Sequence, residues 1–366
     1  HLVLTDTVMA EGISLSLFYL YMIPAFRILL DESEGEAAYS FFLKQIILAN
    51  LMALLACQFR GQMMYLFILT PIAMVIRIMS KEMLNNRHFP KKPKAASENI
   101  FGFLKNMFSP WRPVCVAMAL MVVSFLANSI IGHSYQFAVN GIYTGKALGP
   151  ANMACNILYV SEREAGEIIE DEERRQLFYR MYDQMEENQW LYDYAPKDMI
   201  GREAYYSACH DLINYEVYEL SIQHYLQDGG EDASNYALYR VRSDEIGAVL
   251  FKELLPVCFK SWLDNYLAVC AVGFIRTVAV VNPVLNWYTI LIYGLAAVLI
   301  MLAVIRAKRL TPFSSTMLFV LISIIGCVCS TGLVIECWAR YVFYNMPFFY
   351  LAFILLTKEI KPFSQI

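Results

Sequence analysis

Seven apolar stretches, each close to the length a bilayer core requires, flank one large acidic insert, Gly132 to Asp264. They are Ile13 to Leu30, Tyr39 to Cys57, Gln62 to Met79, Val114 to Ile131, Trp287 to Ile305, Phe313 to Ile335 and Tyr341 to Leu356. Hydrocarbon offers backbone amides no water to bond, so a chain built this way must cross as helices. That excludes an ordinary soluble fold, as does a composition of 58% hydrophobic and 17% charged residues. Charge is also segregated. The insert holds 23 acidic against 11 basic residues, a net of −12, while the rest of the chain is net positive.

Lys and Arg orient the spans. The segment Ser80 to Arg112 carries Lys81, Arg87, Lys91, Lys92, Lys94, Lys105 and Arg112 against Glu82 and Glu98, and reads as cytoplasmic. The insert then falls outside. Arg306, Lys308, Arg309, Lys358 and Lys361 return to the inside only if an eighth apolar stretch, Tyr266 to Val281, does not cross. That stretch is short and carries Arg276 near its middle, so it is expected along the outer interface or re-entrant. The loop Asp31 to Glu36 is acidic yet inside in this topology, which is tolerable because acidic residues contribute little to orientation. Only Arg27, Lys44 and Arg77 bring charge near the spans, all toward helix ends.

The expected fold is an all-α polytopic bundle of about seven spanning helices plus one interfacial segment. Its organisation reads as residues 1–131 in the first four spans, 132–264 as a helical extracytoplasmic insert, and 265–366 as the interfacial segment and last three spans. Apolar pairs Ile168/Ile169, Leu177/Phe178 and Met181/Tyr182 recur at helical spacing over Glu164 to Trp190. Ala204 to Leu226 and Tyr236 to Leu255 read similarly, with Gly229-Gly230 and Pro256 as punctuation. The insert's many tyrosines are mostly packing surface, with sugar stacking as the sharper role for a few. The chain opens on His1 and reads as part of a longer protein, with catalytic residues expected upstream.

Four short segments meet the outer face in this topology. Asp6 and Glu11 precede the first span. Plain helix-terminus electrostatics would explain them, and the functional alternative is that one helps position a metal ion, an acceptor hydroxyl or a diphosphate. Arg60 sits on the tight turn Cys57-Gln58-Phe59-Arg60-Gly61-Gln62, either snorkelling to head groups or offering its fork of donors to a phosphate. His133 begins the insert. Glu336 and Arg340 are four apart and would share a helix face if the helix continued through them. His133 and His210 have no metal-ligand partner at useful spacing; His210-Asp211 is suggestive, with a satisfied surface His the better reading. The nine cysteines read as small buried hydrophobes, with only a C-x-C at Cys327 and Cys329. No phosphate-binding glycine loop, HExxH, G-x-S-x-G or nucleic-acid signature is present.

Glu336-x-x-x-Arg340-Tyr341 followed by Pro347 in the last apolar stretch resembles the C-terminal hairpin of the GT-C superfamily of integral-membrane glycosyltransferases. Asp6 to Gly12 leading into Ile13-Ser14-Leu15-Ser16-Leu17, and the Arg-bearing turn within Leu54 to Met64, are similar to elements of the same group. The Glu336 to Arg340 spacing is wider than the commonest family form, and the insert has no counterpart in the match. The resemblance implies transfer of a sugar from a polyprenyl-phosphate carrier to an acceptor at the outer face. Arg60, Glu336, Arg340 and Tyr341 would bind substrate, and Asp6 and Glu11 are the visible catalytic candidates. A divalent metal is a possible cofactor, the partners are the lipid-linked donor and membrane lipid, and nucleic acid is not among them. The competing readings are a polytopic transporter, flippase or polysaccharide polymerase without transfer chemistry, and a non-catalytic membrane protein whose insert binds a partner.

Overall fold

The computed structural model describes residues 2–31, 36–85, 111–145, 149–230 and 234–360. It is 87% helical, with no strand among the described residues. Seven helices are long and apolar enough to cross a membrane: Gly12–Leu30, Ala38–Phe59, Gly61–Lys81, Arg112–Val139, Pro283–Ala307, Pro312–Gly332 and Ala339–Glu359. The chain is an all-α integral membrane protein, and six of the spans fall within four residues of their apolar runs, whereas the fourth continues eight residues past Ile131 to Val139. Tyr266 to Val281 is not among the seven.

The chain divides into two compact units. The first comprises His1–Ser129, Thr277–Cys327 and Phe343–Ile366, and the second comprises Ile130–Arg276 and Val328–Val342. In the first unit, α1 (Leu2–Leu30) packs along α2 (Glu36–Phe59). Ile46, Ala49, Ala53 and Ala56 form a fully buried stripe on α2. Small residues at this spacing let two backbones approach where lipid supplies no hydrophobic drive between helices. Polar side chains join helices as well. Tyr21 Oη donates to the Leu66 carbonyl at 3.0 Å on α3 (Tyr65–Asn85). Gln58 Nε2 donates to Asn128 Oδ1 at 3.0 Å on α4 (Arg112–Asn140).

Arg77 is buried in this unit. Its guanidinium lies 4.0 Å over the Phe42 ring and donates to the carbonyls of Ile28 and Asp31. A cation there satisfies the open carbonyls at the C-terminal end of α1. Phe18 meets Tyr344 and Phe348 edge-on, at 5.8 and 5.9 Å between ring centres. Local chemistry sets the starts of the late spans. Asn282 caps the helix Pro283–Ala307 through Val284 N at 3.0 Å. Thr311 and Ser314 cap the helix Pro312–Gly332 reciprocally, each hydroxyl accepting from the other's backbone N–H.

The second unit packs Gly149–Tyr159 (α5), Glu172–Glu187 (α6), Met199–Leu212 (α7), a π-helical run Ile213–Glu219, Leu220–Asp228 (α8) and most of Tyr236–Val278 (α9). Its core includes Tyr159, Phe178, Met181, Tyr206, Val217 and Leu254. Gly247 lets α9 approach α5: a Cβ there would lie 2.8 Å from the Pro150 carbonyl oxygen.

Three local expectations are corrected. Glu164 to Trp190 is not one helix, because Asp171 accepts from Arg174 N at 2.8 Å and starts a new helix after a short 3₁₀ turn. Pro256 does not end a helix. It lies inside the 43-residue α9, where Leu250, Leu254 and Cys258 are buried around it and their packing outweighs the lost backbone bond. The helix expected through Ile335 ends at Gly332, and Asn156 Nδ2 donates to the Val334 carbonyl at 3.1 Å beyond that end.

Ala53→Leu should overpack the α1–α2 seam and lower stability by about 1–3 kcal/mol, read as a drop in thermal midpoint in detergent. Leu51→Ala, at an exposed position on the same helix, should change it far less. Equal effects would show that Ala53 does not lie in the seam.

Candidate functional site

The second unit concentrates its buried charge where α7, α9 and residues 333–338 meet. Glu203 on α7 is 1% exposed. Arg276 near the end of α9 grips it with both terminal nitrogens, Nη1 to Oε1 at 2.6 Å and Nη2 to Oε2 at 3.2 Å. The same Nη1 donates to the Cys337 carbonyl at 3.1 Å, and Ser207 Oγ donates to Glu203 Oε1 at 2.7 Å. Arg276, whose side chain is 20% exposed, is therefore one side of a bidentate pair with a buried carboxylate. Gly273, one turn earlier, brings α9 against the same segment, because a Cβ there would lie 2.9 Å from Cys337 Cβ.

Glu336 is held next to that pair. The segment is non-helical from Glu336 to Trp338, and Ala339–Val342 forms one short helical turn. Glu336 and Arg340 thus do not sit on one helix face. Arg340 instead places its guanidinium 4.4 Å over the Trp338 ring and 4.8 Å over the Tyr341 ring, and Nη2 donates to Tyr341 Oη at 2.8 Å. Those two rings are nearly parallel, at 10° and 6.3 Å. Arg340 is exposed to solvent and Tyr341 is half-buried.

Glu336 itself is buried and turns toward His210, which is not at the surface as its sequence context suggests but 3% exposed. His210 Nδ1 lies 3.1 Å from Glu336 Oε2 and 3.6 Å from Asp211 Oδ1. The 3.1 Å contact is close enough for an ion pair, yet neither ring nitrogen nor Oε2 has an aligned hydrogen bond. The contact is electrostatic proximity without donor geometry. The Tyr206 ring packs edge-on against the imidazole at 5.5 Å. Burial pushes the Glu336 carboxyl above the ordinary carboxylate range, with His210 opposing. Folding therefore favours its protonated form, so that contribution to stability is present at low pH and fades as pH rises through the raised value. Asp211 shifts the other way, held below its ordinary value by the ring nitrogen reaching toward it.

The other sequence candidates lie in the first unit. Arg60 is half-buried in extended backbone ahead of the 3₁₀ turn Gly61–Met64. Asp6 and Glu11 lie on α1, and their side chains fall outside the described residues. Of the expected set, Glu336, Arg340 and Tyr341 fall in the second unit, Glu336 turned toward His210 and Arg340 lying over Trp338 and Tyr341. His210, Glu203 and Arg276 join that unit's site without having been expected there. The one sequence signal for them was charge inside otherwise apolar helical faces, and it did not say which groups pair.

Removing one partner of a buried bidentate pair leaves the other charge stranded, at a cost of about 3–5 kcal/mol. Arg276→Ala should lower stability on that scale in chemical unfolding. The double variant Glu203→Met with Arg276→Met should recover much of the loss. Additive losses in the double variant would show that the two do not act as a pair.

No protein-family model, no curated protein and no solved structure matches this chain, so its own site geometry carries the functional reading.

Proposed function

We propose that this protein is an integral-membrane glycosyltransferase that moves a sugar from a polyprenyl-phosphate carrier to an acceptor at the outer membrane face, with the acidic insert on the extracytoplasmic side. One observation carries the reading. The linker 333–338 between two apolar helices carries the buried Glu336 and leads into an exposed Arg340, the second residue of the last span, which is braced on Trp338 and Tyr341. So short a linker between spans keeps these residues near a membrane boundary.

The chemistry follows from the residue types. A guanidinium offers a planar fork of donors that matches phosphate oxygens, and stacking on aromatic rings lowers the entropy lost when it binds. Aromatic faces beside it suit the apolar face of a sugar ring. Glu336 and Tyr341 supply groups for sugar or acceptor hydroxyls. The basic segment Ser80 to Arg112 and the basic residues after Ile305 support an insert on the outside.

Each charge-assisted bond to phosphate contributes about 1.5–3 kcal/mol. At about 1.4 kcal/mol per tenfold, Arg340→Ala should cut sugar transfer roughly 10–100-fold for each bond lost. The assay is the complete protein in proteoliposomes with polyprenyl-phosphate-linked sugars. Membrane insertion should be unchanged, and Arg340→Lys should keep part of the activity. Wild-type transfer by Arg340→Ala would remove the residue from the site. Labelling of cysteines placed at 306–309 from outside intact cells would overturn the sidedness.

A further inference from the structure

We infer that His210, Asp211 and Glu336 form a binding site for one divalent transition-metal ion of the Zn²⁺ class. The site does not rest on the sugar-transfer reading, since an ion there would serve a transferase, a transporter or a structural role alike.

The ligand atoms are already gathered. One ring nitrogen and one oxygen from each carboxylate all lie within 4.8 Å of one another. Nδ1 stands 3.1 Å from Glu336 Oε2 and 3.6 Å from Asp211 Oδ1. A tetrahedral ion with bonds of about 2.0–2.2 Å sets neighbouring ligand atoms about 3.3–3.6 Å apart, so both separations lie at or close to what a shared ion requires.

The second observation is independent of the cluster's composition. His210 is 97% buried by its 3% exposure, and neither ring nitrogen has an aligned hydrogen bond. Glu336 Oε2, the oxygen facing that ring, also lacks one. Buried polar atoms left unbonded are costly and uncommon in folded proteins. An imidazolium–carboxylate pair would resolve the cost by lining up N–H with oxygen, and that alignment is not made. An ion between the atoms would satisfy His210 Nδ1 and Glu336 Oε2 at once, with Asp211 Oδ1 as the third ligand.

The surroundings fit a cation. Glu203 and Arg276 neutralise each other next to the site, which leaves two carboxylates facing the imidazole with Arg340 acting on Asp211 from its exposed side. Asp211 is 56% exposed in its side chain, which gives an ion a way in from solvent. Three protein ligands leave a fourth position for water or substrate, the arrangement of zinc sites that do chemistry rather than only hold structure. A nitrogen among the ligands selects Zn²⁺ over Mg²⁺ or Ca²⁺, which prefer all-oxygen shells.

The test uses the complete protein in detergent, free of any histidine tag, stripped with EDTA and titrated with ZnCl₂ against a chromophoric competitor. One equivalent of Zn²⁺ should bind, and MgCl₂ at equal concentration should not displace it. His210→Ala and Glu336→Gln should each weaken binding at least tenfold, Asp211→Asn several-fold, and Glu172→Gln, an exposed carboxylate elsewhere in the unit, should leave it unchanged. If His210→Ala does not fold, Asp211→Asn and Glu336→Gln decide the matter. Wild-type affinity in both would overturn the site, as would absence of stoichiometric Zn²⁺ binding by the wild type.

Discussion

The second unit depends on one interaction, the bidentate grip of Arg276 on Glu203. The pair joins two helices whose apolar faces alone would permit several registers. Its third bond, to the Cys337 carbonyl, fixes the non-helical segment that carries Glu336 and Trp338. Buried ion pairs contribute little net stability when desolvation is counted, so their use is better sought in what they position. Here the pair sets the height of residues 336–338 against α7, and α7 carries both Glu203 and His210. The meeting of His210 with Glu336 is thus downstream of a salt bridge about two turns away along α7.

Close packing reinforces that placement. Gly273 and Gly332 both sit where a side chain would collide with or crowd the segment around Cys337, Cys270 and Val328. Seven of the nine cysteines are buried, including Cys270 and Cys337 in this junction, where they fill space as small hydrophobes. The tyrosines divide between packing and bonding in the same unit. Tyr218 is buried and donates to the Ser243 carbonyl at 2.5 Å, whereas Tyr341 lies at the site and accepts from Arg340. A polar residue in this unit is therefore defined by its neighbours more than by its type.

What was legible in the sequence follows the range of the forces involved. The seven spans and the helical character of the insert were readable because burial in lipid and helical periodicity act over consecutive residues. Caps were less visible. Asp171 cut one expected helix in two, and Pro256 failed to cut another because tertiary burial outweighed its local cost. The site was partly legible. Glu336, Arg340 and Tyr341 stood out as polar residues between apolar runs, but the helical pairing of Glu336 with Arg340 did not form. His210 looked like a surface residue because Asp211 beside it is charged. Nothing local records that Glu336, far along the chain, would be brought to within 3.1 Å.

Two arginines in the second unit show how the same side chain takes opposite parts. Arg276 spends both terminal nitrogens on a buried carboxylate and a backbone carbonyl, and its side chain is 20% exposed. Such a group holds position and has little capacity left for a ligand. Arg340 lies across two aromatic faces with its edge toward solvent. Ring faces hold a guanidinium in a set orientation, with its donors lying in the plane of the fork. The two are linked through the segment between Cys337 and Arg340: the buried arginine fixes its start, and the aromatic pair fixes the orientation at its end. A change at Arg276 should therefore reach Arg340 by moving that segment.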